Sequence, residues 1–443
     1  MARPASWAAS WASSAFSRTP PVASSMPMRR TLVRPRRTGP RRFRPALATP
    51  LRCSTVAPAP GCPPPRHRGA RLAAQVRTLG VEEEFLLFRD GSARLAPVGE
   101  AVAHEATRRG TGQFEHEFKQ PQAELATAPS VDLTEVADQL RDRRAELAAA
   151  ARARDARLVA VGTSPVQDDA ATTPHSRYRR MDELFGPVAV LNLTCGMHVH
   201  VGLDSDEERV GAVDRMQPWL PALTALSANS PFWGGDDTTY DSYRSIVWRQ
   251  WPTAGGTQPF GSPAAYREAQ QQLIRSGAAL DEGMVYYSAR LAERYPTVEV
   301  RVSDVCARSA DAATIAGLTR ALVSTAAEQW AEGRPAPRFR HELLRAAYWR
   351  AARFGVRERL VDPVDGSTVS AWDHIETLLE MVRPALDAAG DTQRVTEGLE
   401  RIRSRGTGAA LQRATRSAGS LSDVVDALAE ATTEASTNAA RSA

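Results

Sequence analysis

Lysine is almost absent from this chain of 443 residues, although arginine is abundant. The one lysine is Lys119, and it follows Phe118. The P-loop of many nucleotide-binding proteins needs a lysine directly after a glycine. This sequence therefore contains no P-loop.

Cysteine and long apolar runs are scarce as well. The chain has four cysteines, namely Cys53, Cys62, Cys195 and Cys306. They form neither a CxxC pair nor a disulfide framework, which predicts a reducing, cytoplasmic location. No stretch approaches 18 consecutive apolar residues, so no membrane span is expected.

Acidic residues are missing from the beginning of the chain. Residues 1–81 hold fifteen arginines and no acid, so the net charge of +5 conceals an acidic remainder with 41 basic and 51 acidic residues. This balance argues against nucleic acid or an anionic membrane as a partner. Residues 1–77 are rich in Arg, Pro, Ser and Ala, which predicts a disordered leader. The same composition suits a transit peptide, or a start codon placed too far upstream, and the abrupt change at Thr78 favours the latter.

From residue 78 to 443 the pattern predicts one α+β domain. A Gly/Pro/Trp-rich segment at 230–262 is long enough to suggest a functional loop. Prolines at 218 and 221 should break the helical stretch 206–228. We predict strands at 78–88, 158–162, 190–203 and 297–302, and helices at 132–157, 264–276, 309–332, 339–354, 371–389 and 421–435.

Three consecutive glutamates lie inside the first predicted strand. Because side chains alternate across a strand, Glu82 and Glu84 share one face and Glu83 points the other way with Val81 and Phe85. Two like charges on a buried face are costly unless a cation neutralises them. The flanking apolar residues favour metal binding over a solvated strand edge.

Two histidines, His198 and His200, share one face of a later strand between Gly196 and Gly202. A single histidine would more often be a satisfied core residue, but a pair between glycines favours a binding site. An H-x-H pair also suits a zinc hydrolase, which is the main chemical alternative.

Two further segments are weaker signals alone. Glu117 and Glu124 lie seven residues apart, and Pro121 between them permits a break in the strand. Glu299 and Arg301 share a face of TVEVRV, as a solvated ion pair or as an acid on a metal beside a phosphate-binding guanidinium. Together the four segments offer many carboxylates, few imidazoles and no thiolate, which suits Mg²⁺ or Mn²⁺ better than Zn²⁺. Such a site beside arginine is what phosphoryl transfer without a P-loop requires.

Five segments in order resemble the bacterial carboxylate-amine ligase family, the type 2 glutamate–cysteine ligase-like relatives of glutamine synthetase. They read TLGVEEEFLL, the E-x6-E of 117–124, CGMHVHVG, ALSANSPFWGGDDTTYDSYR and PTVEVRVSDV. The resemblance covers about residues 78–440. It implies a curved antiparallel sheet whose concave face holds ATP and metals, with helices packed outside.

The resemblance also implies roles for individual residues. One metal would be held by Glu84, Glu117 and Glu124, and a second by Glu82, His198 and Glu299. Arg301 would face the γ-phosphate or the acyl phosphate. The remaining assignments are Arg244 with nearby Tyr240 as a clamp for the substrate carboxylate, Arg290 as a further phosphate contact, and His200 near the nucleotide.

The implied reaction is ATP-dependent amide formation through an acyl phosphate. The donor would be the γ-carboxylate of glutamate and the acceptor an amine such as cysteine. Departures from the family pattern, at DDTTY and GTSPV, touch no implied metal ligand and so concern substrate preference. A zinc-dependent amidohydrolase and a non-catalytic amino-acid or nucleotide sensor remain alternatives, and a homodimer is the base-rate expectation for an oligomer.

Overall fold

The computed structural model describes residues 76–110 and 113–434. The predicted leader therefore lies outside the described residues, apart from its last two positions. Within the described ranges, no helix is long and apolar enough to cross a membrane.

The strands form one large sheet and two small hairpins. Their bounds are β1 Leu79–Arg89, β2 Gln113–His116, β3 Gln122–Ala126, β4 Ala156–Val159, β5 Gly196–Gly202, β6 Phe232–Trp233, β7 Asp236–Asp237, β8 Ala289–Leu291, β9 Thr297–Asp304, β10 Arg359–Val361 and β11 Thr368–Ser370.

The large sheet is open and antiparallel, in the order β2-β3-β1-β5-β9-β8. The long strand β1 lies at its centre and pairs with β3 along one edge. Its other edge pairs with β5 through its first half and with β4 through its second half. Leu86 shows this arrangement directly, because it pairs with Gln122 on β3 and with Val159 on β4.

Helices make up most of the remaining chain. Their bounds are α1 Gly99–Arg109, α2 Leu133–Arg152, α3 Ser176–Phe185, α4 Pro187–Val190, α5 Asp206–Met216, α6 Leu220–Leu226, α7 Arg244–Trp248, α8 Pro263–Arg275, α9 Ser309–Ala331, α10 His341–Phe354, α11 Ala371–Ala389, α12 Thr392–Arg405, α13 Gly408–Ala418 and α14 Leu421–Thr433. Short 3-10 turns occupy Gln217–Trp219 and Glu282–Met284.

Local sequence explains several of these boundaries. The carboxylate of Asp132 accepts a hydrogen bond from Thr134 N at 2.7 Å and so caps α2. Pro218 lies in the 3-10 turn that separates α5 from α6, and Pro221 lies in the first turn of α6. Proline lacks the N–H that a continuous helix would need there. The segment 230–262 contains the hairpin β6–β7 and the short helix α7.

The principal core lies between the sheet and helices α2 and α9, which pack against β1. Along β1, Leu79, Val81, Phe85 and Leu87 are fully or almost fully buried. Val81, Glu83 and Phe85 lie on the core face of β1, and Glu82 and Glu84 lie on its opposite face, as predicted. The expected α+β architecture, with an antiparallel sheet and external helices, is confirmed.

Lys119, the one lysine of the chain, is buried at 1% exposure. Its Nζ donates hydrogen bonds to Thr172 Oγ1 and to the carbonyl oxygen of Val190, both at 2.9 Å. Burial lowers the pKa of Lys119 to about 8. The side chain thereby ties the loop before β3 to the end of α4.

Candidate active site

One face of the large sheet carries most of the predicted site residues. Their positions follow from strand register, since Glu82 pairs with His198 and Glu84 with Glu124, while Glu299 pairs with His200 and Arg290. They line a cavity of about 700 Å³. The predicted residues in its wall are Glu82, Glu84, Glu117, Glu124, His198, His200, Arg290, Glu299 and Arg301.

The first carboxylate cluster consists of Glu84, Glu117 and Glu124. Each offers an oxygen within 4.8 Å of the others. Glu84 and Glu124 are directly opposite on β1 and β3, and Pro121 lies in the turn that brings Glu117 to them. This turn accounts for the seven-residue spacing in the sequence.

Electrostatics make this cluster costly without a cation. Burial raises the pKa of Glu84, although Gly196 N donates a hydrogen bond to its Oε2 at 2.7 Å. Burial and the neighbouring Glu117 raise the pKa of Glu124 well above its ordinary value. A divalent cation between the three carboxylates would remove this repulsion.

The second cluster consists of Glu82, His200 and Glu299, whose donor atoms also lie within 4.8 Å of one another. His200 Nε2 is 3.4 Å from Glu82 Oε1, and His200 Nδ1 is 3.0 Å from Thr297 Oγ1. Burial opposes ionisation of Glu82, but hydrogen bonds with His198 and His200 outweigh it and lower the pKa of this carboxyl. The carboxylate of Glu82 is therefore ionised and can bind a cation.

His198 lies between the two clusters. Its Nδ1 is 3.3 Å from Glu82 Oε2 and 4.0 Å from Glu299 Oε1, while its Nε2 is 3.8 Å from Glu84 Oε1. Burial and the positive charge of Arg301 lower the pKa of His198. The Nε2 atoms of His198 and His200 are both buried: that of His198 has no hydrogen-bond partner among the described residues, and that of His200 has the 3.4 Å contact with Glu82 Oε1. These Nε2 atoms can therefore coordinate a metal ion or bind an atom of a substrate.

A β-bulge places the arginine of this site. Met197 pairs with Ser303 and Val199 with Val300, so Arg301 and Val302 together oppose His198. An extra residue of this kind re-aims the side chains of a strand. Arg301 donates to Glu299 Oε1, and Arg290 Nε donates to Glu299 Oε2 at 2.6 Å.

Two of the predicted site residues, Arg244 and Tyr240, are not part of the wall of this cavity. Arg244 is 2% exposed and lies behind Trp248, with its guanidinium carbon 5.7 Å from the centre of that ring. A Cβ at position 196 would lie 2.2 Å from Arg244 Nη2, so glycine permits this close approach. The hydroxyl of Tyr240 accepts a hydrogen bond from Trp349 Nε1 at 3.1 Å.

Sequence reasoning missed a set of residues that close one end of the cavity. Arg177 on α3 and Asp281 form a two-point ion pair, with Nη2–Oδ1 and Nε–Oδ2 distances of 2.9 and 3.0 Å. The other missed residues in the wall include Phe118, Tyr178, Met181, Asn192, Trp248, Trp251 and Tyr286. Their aromatic and amide side chains resemble ordinary core residues in the sequence, so no signal singled them out.

The sequence of this chain is similar to those of known proteins. The sequence model of glutamate-cysteine ligase family 2 matches residues 78–436. A relative from Frankia alni, provisionally named glutamate–cysteine ligase 2-2, is 44% identical over 81% of this chain and 97% of its own length. A Streptomyces coelicolor protein, provisionally named glutamate–cysteine ligase 2, is 42% identical over 80% of this chain and 98% of its own.

Solved structures resemble the fold. A Francisella tularensis glutamate–cysteine ligase in complex with AMP superposes with a TM-score of 0.60 at 14% identity, covering 82% of this chain and 90% of that one. A bifunctional glutathione synthetase from Pasteurella multocida gives a TM-score of 0.59 at 15% identity, covering 82% of this chain and 53% of its own. None of these comparisons supports the amidohydrolase alternative. The chain belongs to glutamate-cysteine ligase family 2.

Proposed function

We propose that this protein is an ATP-dependent carboxylate–amine ligase that joins the γ-carboxyl of glutamate to an amine such as that of cysteine. Family membership supports an ATP-dependent ligase. The observation that carries the proposal is the pair of carboxylate clusters that share one cavity wall with Arg290 and Arg301. Carboxylates beside arginines suit a reaction in which phosphate charge must be neutralised and moved.

The donor atoms fit divalent metal ions. Glu84, Glu117 and Glu124 would hold one ion, while Glu82 and Glu299 with a histidine would hold the second. The crowded acids supply the oxygen ligands that Mg²⁺ and Mn²⁺ prefer, and the buried Nε2 of His198 has no partner among the described residues. When bound, such ions neutralise and orient the phosphates of ATP.

The protein's own groups contribute charge and position. A carboxylate oxygen of glutamate attacks the γ-phosphorus of ATP, and the bond to ADP breaks to give an acyl phosphate. Arg301 and Arg290 are held against Glu299 at the cavity wall, where their remaining N–H groups can bind phosphoryl oxygens. The amine then forms the C–N bond, loses a proton, and displaces inorganic phosphate.

The size of the cavity suits small-molecule reactants. The Arg177–Asp281 pair joins α3 to the 3-10 turn 282–284, and both residues line the cavity. The volume of about 700 Å³ lies within the range of small-molecule sites. Cys195 and Cys306 are both buried and free, which is compatible with the cytoplasmic location that we propose.

The direct test is ADP release by the full chain with ATP and Mg²⁺, with and without glutamate, against a panel of amines. We expect glutamate-dependent release that one amine raises further, and no release by Glu299→Ala. ATP binding without ADP release for any substrate would indicate a sensor. Tightly bound zinc with hydrolysis of amides would contradict the ligase.

A further inference from the structure

The wall of the cavity contains a buried amide, Asn192, whose Nδ2 has no partner among the described residues. Asn192 is 5% exposed and follows α4. Its Oδ1 accepts a hydrogen bond from Thr194 Oγ1 at 2.8 Å, so the orientation of the amide is fixed. An unpaired buried donor such as Nδ2 is costly, so this N–H₂ group is positioned to bind an oxygen of a ligand.

The backbone around Asn192 is itself held in place. Gln122 Nε2 donates to the carbonyl oxygen of Thr194 at 2.8 Å, and Lys119 Nζ donates to the carbonyl oxygen of Val190. These contacts attach both sides of Asn192 to the segment that begins β3. A donor held in this way loses little conformational freedom when a ligand binds.

The cavity wall at this end is largely apolar, and its charged residue on α3, Arg177, is held in the ion pair with Asp281. Helix α4, which precedes Asn192, packs against α3, and α3 carries Tyr178 and the buried Met181. The rings of Phe118 and Tyr178 meet edge to face with centroids 5.2 Å apart. Aromatic rings and a thioether favour contact with an apolar or sulfur-containing group.

The opposite end of the cavity is lined by different side chains. His200 lies near that end of β5, with the exposed ring of Tyr295 at a centroid distance of 6.3 Å. The carboxylate clusters lie between the two ends. The end that contains Asn192 therefore offers one unpaired neutral donor beside aromatic and thioether side chains, while the charge of Arg177 there is already paired with Asp281. This end lies on the far side of the clusters from Tyr295.

We propose that this end binds the amine acceptor, an α-amino acid with a small apolar or thiol side chain, and that Asn192 Nδ2 donates a hydrogen bond to its carboxylate. The proposal rests on the ligase function proposed above. Glutamate would bring a second carboxylate, which one neutral amide and aromatic walls do not satisfy. An acceptor amino acid needs one carboxylate bound and its side chain desolvated.

The test removes the same hydrogen bond from the protein and from the substrate. Full-length wild type and Asn192→Ala are assayed for ADP release with glutamate alone, with added cysteine, and with added cysteamine, which lacks the carboxylate. We expect Asn192→Ala to raise the KM for cysteine by about 10-fold or more. The KM for glutamate and the release with glutamate alone should not change, and neither should the KM for cysteamine.

A second variant tests the direction of the hydrogen bond. Asn192→Asp places an acceptor-only group against the carboxylate, so its KM for cysteine should exceed that of Asn192→Ala. A lower KM in Asn192→Asp would mean that the ligand presents a donor, and a raised KM for glutamate would assign Asn192 to the other substrate. Either result overturns the proposal, and so does an unchanged preference for cysteine over cysteamine in Asn192→Ala. Loss of glutamate-dependent release from the wild type would instead refute the ligase function itself.

Discussion

Glu83 and Arg144 form a two-point ion pair that is fully buried beneath the strand carrying the site. Arg144 Nη2 lies 2.6 Å from Glu83 Oε1, and Arg144 Nε lies 2.8 Å from Oε2, with both side chains at 0% exposure. Arg144 also donates to the carbonyl oxygens of Cys306 and Ala307. The middle glutamate of the EEE triplet thus joins β1 to α2, while its two neighbours face the cavity.

We expect Glu83→Ala to lower the free energy of unfolding by about 3–5 kcal/mol, because it leaves the Arg144 charge buried without its partner. Chemical denaturation would measure the loss. The double variant Glu83→Leu/Arg144→Met removes both charges and should recover much of it. A loss below about 1 kcal/mol in Glu83→Ala would show that water reaches the pair.

Binding of Mg²⁺ or Mn²⁺ should stabilise the folded protein. At a concentration one hundred times the Kd, the gain is about 2.7 kcal/mol, and EDTA should reverse it. Glu84→Gln should lose most of this gain and should be at least as stable as the wild type in EDTA, because repulsion with Glu117 and Glu124 is reduced. Glu100→Gln, at an exposed position, is the matched control. Equal metal-induced shifts in both variants would remove Glu84 from the metal site.

The two histidines can be separated by their effect on metal affinity. Single donor atoms of Glu82, His200 and Glu299 all lie within 4.8 Å of one another. His198 Nδ1 also lies 3.3 Å from Glu82 and 4.0 Å from Glu299, but it is 3.4 Å from the positively charged Arg301, which opposes a cation at this atom. We therefore expect His200→Ala to weaken Mn²⁺ binding more than His198→Ala, as measured by titration calorimetry. The reverse order would support the ligand set that the family resemblance implies, with His198 on the second ion.

Arg301→Lys should reduce kcat on the order of 100-fold, because the compact ammonium lacks the planar fork with which the guanidinium can bind Glu299 and a phosphoryl oxygen at separate nitrogens. Steady-state ADP release would measure it. Arg383→Lys, on the exposed surface of α11, makes the same chemical change away from the cavity and should keep wild-type turnover. Similar turnover in both variants would mean that Arg301 does not contact the moving phosphoryl group.

Lys119 should make stability depend on pH. Because burial lowers its pKa in the folded protein from 10.5 to about 8, the unfolded chain binds more protons between these values. The contribution of Lys119 to the free energy of unfolding therefore rises as the pH increases from about 8 to 10.5. Lys119→Met should flatten this rise in denaturation measurements at pH 7.5 and 9.5. The same slope in both proteins would contradict the lowered pKa.

Alternation along single strands predicted much of the site. Because side chains alternate with a period of two, the sequence predicts the faces of Glu82, Glu83 and Glu84 and those of His198 and His200. An error of one residue in the predicted end of a strand does not change these faces. Helix α2 was predictable for a similar local reason, because Asp132 supplies its cap.

Contacts between distant segments were not predictable in this way. The bulge opposite His198 depends on how β5 and β9 align, and nothing within TVEVRV marks it. Asn192 looks like an ordinary loop residue in the sequence, and only the folded structure shows that its Nδ2 is buried with no partner in the described part of the chain. Arg244 lies behind Trp248 because Gly196 admits it there, which depends on a residue 48 positions away.

The burial of the single lysine has a practical consequence. Amine-reactive labels, cross-linkers and coupling surfaces depend on accessible lysine side chains, and the sequence supplies no other. With Lys119 enclosed, the residues that the structure describes present no accessible lysine amine to such reagents. Labelling through amines should therefore leave the cavity wall unmodified, so that binding measurements on labelled protein report on an unaltered site.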